Sequence, residues 1–130
     1  MTSRLLRLRH SPGLRRLVAE TDLTPRRFIW PLFVHEGVSE PVAVASMPGV
    51  HQWPVARVAE QVRHAAAAGL GAVILFGLPR TKDAQGSSAW DADGVIPRAV
   101  RAIKDAAPDL PVITDVCLCE YTDHGHCGLL

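Results

Sequence analysis

Hydrophobic positions along the chain fall into two kinds of pattern. From Val55 onward, Val55, Val58, Ala59, Val62 and Ala66 recur at the spacing of one helical face, with Arg57, Glu60, Gln61 and Arg63 outside it. That spacing predicts an amphipathic helix, ended by Gly69 and Gly71, one of them in the left-handed cap position. Ile96, Ala99, Val100, Ile103 and Ala107 make a second inner face, with Arg98, Arg101, Lys104 and Asp105 toward solvent. Asp93 is the expected cap of this helix, Pro97 is tolerated in its first turn and Pro108 stops it. Three apolar runs lack a helical period: Phe28–Val34 closed by Gly37, Ala72–Phe76 closed by Gly77 and Pro79, and Val112–Cys117. They read as buried strands, and the continuous apolar character of 72–76 is that of a parallel strand covered on both faces. Pro31 is awkward within the first and predicts a late start or a bulge. Residues 38–54, carrying Pro41, Pro48, Gly49 and Pro54, read as a loop, as do 80–92 and 119–130. Pro12-Gly13 breaks the N-terminal segment, so a helix there is short, Leu14 to Thr21.

The resulting order is an arm, then β, α, β, α, β, then a loop. Strands joined by helices imply an α/β fold with a parallel sheet. A doubly wound open sheet and a (β/α) barrel both fit. No G-x-G-x-x-G follows a strand and no P-loop lysine motif is present, which removes the main sequence support for nucleotide binding. In either architecture the working groups collect at the carboxyl ends of the strands.

Composition narrows the reading further. Over 130 residues, 48% are hydrophobic and 21% charged, which is ordinary globular usage. No run approaches the ~18 apolar residues of a membrane span, so no membrane partner is expected. The net charge of +1 does not advertise a nucleic-acid partner, but it is unevenly spread. Residues 1–27 hold seven arginines against Glu20 and Asp22, so a basic arm precedes an acidic body over 28–130. The arm, with Leu5, Leu6, Leu8, Leu14 and Leu17 between its arginines, has three readings: a surface arm docking on the body or another subunit, a transit peptide, or a nucleic-acid arm. Trp30, Trp53 and Trp90 show no stacking stripe and read as packing residues. His10, His35, His51 and His64 have no ligand spacing and read as surface or hydrogen-bonded groups.

The chemistry concentrates in the last segment. The three cysteines, Cys117, Cys119 and Cys127, cannot all pair within one chain and lie close together. This argues for a reducing compartment and a metal or catalytic role. On an extended strand Asp115, Cys117 and Cys119 share a face, and a turn through Gly125 can return Cys127 to them. Three sulfurs hold Zn²⁺ at ~2.3 Å each and leave one tetrahedral position for water or substrate. An ion held by three thiolates is a weak Lewis acid, better suited to orienting an amine or carbonyl than to generating hydroxide. Two other readings stand beside this one: a closed structural site completed by His124 or His126, and a redox trio, although C-x-C lacks the C-x-x-C redox spacing.

The segment Asp115-Val116-Cys117-Leu118-Cys119-Glu120-Tyr121-Thr122-Asp123-His124-Gly125-His126-Cys127-Gly128 closely resembles the zinc-binding segment of the porphobilinogen synthase (5-aminolevulinate dehydratase) family. Pro31-Leu32-Phe33-Val34, Ser46-Met47-Pro48-Gly49-Val50, Leu75-Phe76-Gly77-Leu78-Pro79, Lys82-Asp83, Gly86-Ser87 and Asp93-Gly94 agree in order. The resemblance runs from about Arg7 to Leu130. It implies a (β/α)₈ barrel enzyme, here represented by about three βα units, with an N-terminal arm that embraces a neighbouring subunit, usually within an octamer. The family condenses two molecules of 5-aminolevulinate into porphobilinogen, the pyrrole precursor of haem and other tetrapyrroles. By position, Cys117, Cys119 and Cys127 would be the catalytic zinc ligands and Asp115 the active-site carboxylate beside them. Some members use a carboxylate-rich magnesium-type site instead; this chain keeps all three thiols. Members with this motif can place a second zinc on the histidine matching His126. Asp123 stands where serine is common, with little consequence expected. Any magnesium at an allosteric site would belong to residues outside this chain.

The family's two Schiff-base lysines lie on later barrel strands. The chain's only lysines are Lys82, in a Gly/Ser loop, and Lys104, on the solvent face of a helix, and neither matches a catalytic position. A (β/α)₈ barrel takes ~250 residues, so the expectation is an amino-terminal piece of the enzyme, without condensing activity alone, in the cytoplasm. The alternative is a non-enzymatic zinc-binding or assembly module.

Overall fold

The computed structural model describes residues 6–128. Its centre is a sheet of five strands: β1 Ile29–His35, β2 Val42–Ala43, β3 His51–Pro54, β4 Ala72–Leu78 and β5 Val112–Thr114. Their spatial order is β2-β3-β1-β4-β5. β3, β1, β4 and β5 are mutually parallel, and β2 alone is antiparallel to its neighbour β3. Helix α1 covers Pro12–Leu17, α2 Val55–Ala67 and α3 Val95–Ala106. α2 carries the chain from β3 to β4, and α3 from β4 to β5, as the α/β pattern requires.

The helical periods hold. Of the expected faces, Val58 and Val62 of α2 and Ala99 and Ile103 of α3 are buried, and Val55, Ala66, Ile96 and Val100 pack half-buried beside them; Ala65 and Val95, outside the expected faces, are buried too. They close one core with Leu32 and Val34 of β1 and Val73 and Leu75 of β4. Each valine, leucine or isoleucine among them contributes roughly 1.5–3 kcal/mol on leaving water. Gly69, at φ +76°, closes α2 in the left-handed region, where any Cβ is disfavoured. The other sheet face carries Phe33, Ile74, Phe76, Leu78 and Ile113, which stay partly exposed. The expectation of cover on both faces therefore fails for the described residues: both long helices lie on one side.

Several local expectations change for identifiable reasons. Residues 38–54 are not all loop. β2 and β3 form a hairpin around Met47-Pro48-Gly49, closed by bonds from Val44 N to Val50 O and from Val50 N to Met47 O. β3 then pairs with β1 from Phe33 to His35. These strands are too short to show a period, and a distant neighbour makes them. Pro31 neither delays nor bulges β1, which pairs with β4 continuously from Ile29. β3 begins only opposite Phe33, so the edge beside Pro31 is open, where a strand proline is tolerated. α1 starts at Pro12 rather than after it. Ser11 Oγ accepts from Leu14 N, and Pro12 occupies the first turn, where its missing N–H costs nothing. Gly94, not Asp93, caps α3, because Asp93 is drawn to Arg101 at 2.7 Å. Lys104 does not simply face solvent: its ammonium donates to the carbonyls of Pro108 and Leu110 at the end of α3. Trp30 and Trp53 pack on the core, but Trp90, on the short turn Ser87–Trp90, is 66% exposed.

In the arm, Leu6, Leu8, Leu17 and Leu23 stand exposed rather than docked on the chain's own body. The carboxyl ends of the four parallel strands share one edge of the sheet. There Glu36 accepts from Arg98 of α3 and from Arg80 N, linking the segments that follow β1 and β4 to that helix.

Candidate metal centre

Beyond β5 the chain leaves the sheet at the edge where all parallel strands end. Asp115, Val116 and Cys117 follow, and Val116 is fully exposed. The chain then turns sharply, with the N–H groups of Tyr121 and Thr122 both donating to Leu118 O. This turn drives Tyr121 and Thr122 inward, to 9% and 1% exposure. Gly125, at φ +73°, reverses the chain and returns His126 and Cys127 toward Cys117.

The three sulfurs converge, all lying within 4.8 Å of one another. Cys127 Sγ is 3.2 Å from Cys117 Sγ and 3.3 Å from Cys119 Sγ. None is in a disulfide. An ion with ~2.3 Å bonds to sulfur would hold tetrahedral sulfurs about 3.8 Å apart, so an opening of about half an ångström seats one. The convergence does not come from strand alternation, as the sequence reading supposed. β5 ends at Thr114, and Cys119 lies in the following turn.

Backbone amides and neighbouring thiols polarise the cluster. Cys127 receives a Cys117 thiol bond, the Leu118 N–H and a Cys119 thiol bond, which together lower it to about 7. Cys117 accepts the Cys119 N–H, which alone would lower it. Its bonds to the Cys127 and Cys119 thiols, its burial and the Glu120 carboxylate outweigh that and push it up to about 12. Three thiols with carboxylates beside them are a soft, anionic donor set suited to a divalent ion such as Zn²⁺.

Asp115 stands beside one of the thiols: its carboxylate, Cys117 Sγ and a Glu120 oxygen fall within 4.8 Å of one another. Glu120 was not singled out from sequence. Its signal was an acidic residue directly after a cysteine of the cluster, which spacing alone does not distinguish from a solvated turn. Among the described residues, neither His124 nor His126 joins the sulfurs in such a group. His124 Nε2 meets Ala84 O at 3.2 Å, and the two rings stack 6.0 Å apart. A closed site completed by histidine is therefore not what this geometry builds.

A cavity of about 330 Å³ opens beside the cluster, lined by Asp115, Cys117, Leu118 and Tyr121 from the loop and Ile96 and Pro97 from α3. It is large enough for a small metabolite, mostly apolar, and carries a carboxylate and a thiol. A larger cavity of about 510 Å³, lined by Phe28–Pro31, His64, Ala65 and Leu70, lies at the opposite, amino-terminal end of β1. It holds no cluster of reactive groups.

These features define a class: an α/β domain that gathers three cysteine thiols, with acids beside one of them, beyond the carboxyl ends of its parallel strands. The chain belongs to the delta-aminolevulinic acid dehydratase family, whose model matches residues 2–130. It is 46% identical over 129 residues to the Synechococcus elongatus delta-aminolevulinic acid dehydratase, covering 99% of this chain and 40% of that relative. Identity to the Streptomyces coelicolor enzyme of the same name is 47% over 127 residues, covering 95% and 38%. The crystal structure of delta-aminolevulinic acid dehydratase (porphobilinogen synthase) from Toxoplasma gondii ME49, in complex with the reaction product porphobilinogen, superposes with a TM-score of 0.90 at 32% identity. That match covers 100% of this chain and 37% of that one. The chain thus spans about 40% of the length of these curated relatives.

Proposed function

We propose that this chain supplies the metal-binding part of a porphobilinogen synthase, the enzyme that condenses two 5-aminolevulinate molecules into porphobilinogen for tetrapyrrole synthesis. The observation that carries the reading is the convergence of Cys117, Cys119 and Cys127 beside Asp115 at the strand ends of a chain from this family. The parallel strands and their helices are then the first units of a (β/α)₈ barrel, with Phe33, Ile74 and Phe76 facing its interior.

Within that enzyme Cys117, Cys119 and Cys127 hold Zn²⁺. An ion held there would supply Lewis-acid polarisation of a substrate amino or carbonyl group. Asp115, beside Cys117, holds and moves the protons that the condensation releases. Leu118, Tyr121 and Ile96 form the apolar wall of the cavity beside that carboxylate, which itself stays open to solvent. Lys82 lies in an exposed loop and the Lys104 ammonium is engaged with two carbonyls, so neither forms the substrate imines. The 130-residue chain by itself therefore makes no porphobilinogen. The exposed leucines and arginines of the arm engage a neighbouring subunit of a homo-oligomer, an octamer by family resemblance. Three adjacent free thiols suit the reducing cytoplasm.

Two measurements test the reading. Cobalt added anaerobically to the chain gives thiolate charge-transfer bands at one ion per chain. In the full-length enzyme, Asp115→Asn lowers turnover while metal stoichiometry holds. Absence of the bands, or porphobilinogen formation by the 130-residue chain alone, refutes it.

A further inference from the structure

The thiol loop does not hold its shape alone. The turn after β4 is laced to it at four points. Asp83 and Thr122 form a parallel bridge, and Asp123 N donates to Asp83 O at 3.1 Å. His124 Nε2 meets Ala84 O. Gly86, at φ +70°, lies so close that an added Cβ would sit 3.3 Å from Thr122 Cγ2 and 3.4 Å from Tyr121 Cβ. The turn is itself shaped by the Asp83 side chain, whose Oδ1 accepts from Gln85 N at 2.9 Å and Ser87 N at 3.0 Å. On the other side of the bridge, Thr122 is the one buried polar residue among the described residues. Its hydroxyl donates to the carbonyl of His126, the residue before Cys127, at 3.0 Å.

These contacts form an unbroken chain from Asp83 through Thr122 to the peptide that carries Cys127. Cys127 is the ligand that must travel furthest, returning ten positions to meet Cys117. We infer that the Asp83–Ser87 turn and Thr122 are positioning residues for the thiol cluster, setting where Cys127 is held and hence how tightly the metal binds. The inference rests on the metal reading above. It assigns metal affinity in part to residues that touch no ligand atom, whose loss typically weakens a metal site by about ten- to hundredfold.

The test compares paired variants of the 130-residue chain. Thr122→Val keeps the volume and removes the hydroxyl; Thr122→Ser keeps the hydroxyl. Asp83→Ala removes the acceptor that shapes the turn; Asp83→Asn keeps it. The probes are zinc affinity by competition with a chromophoric chelator and the cobalt absorption spectrum, both well below the melting temperature of each variant. The expected result is about ten- to hundredfold weaker zinc binding and displaced cobalt bands in Thr122→Val and Asp83→Ala, with Thr122→Ser and Asp83→Asn close to the parent. A lower melting temperature with unchanged affinity and spectrum would make the lacing merely structural and overturn the inference. If Thr122→Val fails to fold, the two Asp83 variants decide by the same criterion. A parent chain that binds neither metal overturns the metal reading and this inference together, whereas a parent that binds with unaffected variants overturns only the inference.

Discussion

Gly77→Ala probes the seam between sheet, helix and thiol loop. A Cβ at Gly77 would stand 2.7 Å from Ile96 Cγ1, 2.7 Å from the Tyr121 hydroxyl and 2.9 Å from Val95 Cγ1. Carbon atoms in contact prefer about 3.5–4.0 Å, so three groups on two elements must each yield by close to an ångström. Val95 begins α3 and is buried, and Ile96 and Tyr121 can yield only by moving into the cavity they line beside the thiol loop. Overpacking of this kind costs about 1–3 kcal/mol. At roughly 4 °C per kcal/mol for a chain of this size, the melting temperature falls by about 4–12 °C. Thermal unfolding followed by circular dichroism, without metal, reads it. Gly13→Ala is the control, since its Cβ would meet nothing closer than Ser11 Oγ at 3.9 Å. A second arm identifies the cause. Tyr121→Phe removes one of the three colliding atoms, so the double variant is less destabilised than the sum of the singles, by about 0.5 kcal/mol or more. Gly77→Ala melting within about 1 °C of the parent, or strict additivity with Tyr121→Phe, would refute the packing argument.

Two further outcomes follow from particular groups. The Asp83 carboxyl is held below its ordinary value of 3.8, chiefly by the Ser87 N–H and hydroxyl and then by the amides of Gln85 and Gly86. A carboxylate depressed on folding contributes stability that is present above its unfolded value and lost as pH falls through its lower folded value. Amide protection over residues 83–90, exchange corrected for its intrinsic pH dependence, therefore falls below about pH 4 in the parent and shows no such step in Asp83→Asn; equal protection profiles would contradict the assignment. Cys127→Ser removes the sulfur shared by both close thiol contacts, so zinc affinity drops about hundredfold or more while the chain stays folded. Isothermal titration with an unchanged dissociation constant would show that Cys127 is not a ligand.

Much of this protein was legible from residue order alone because its signals are local. The spacing of Val55, Val58, Ala59, Val62 and Ala66, and of Ile96, Ala99, Val100 and Ile103, specifies two helical faces whatever surrounds them, since 3.6 residues per turn is a property of the backbone. The strands at 29–35 and 72–78 announced themselves as apolar runs. Three closely spaced cysteines in a recognisable segment pointed to a soft metal and to a family. Tertiary structure decided whatever depends on a distant partner. β2 and β3 exist because β1 offers Phe33–His35 an open edge, and Pro31 is harmless because the neighbouring edge is unpaired there. The sulfurs meet through a buried turn at Tyr121 and Thr122 that the segment after β4 braces, rather than through strand alternation. Glu120 joins the acid group by that same turn. Local preference is additive along a chain and can be read along it. Convergence of side chains is set by which surfaces pack, and only the folded arrangement of β4, α3 and the thiol loop supplies that.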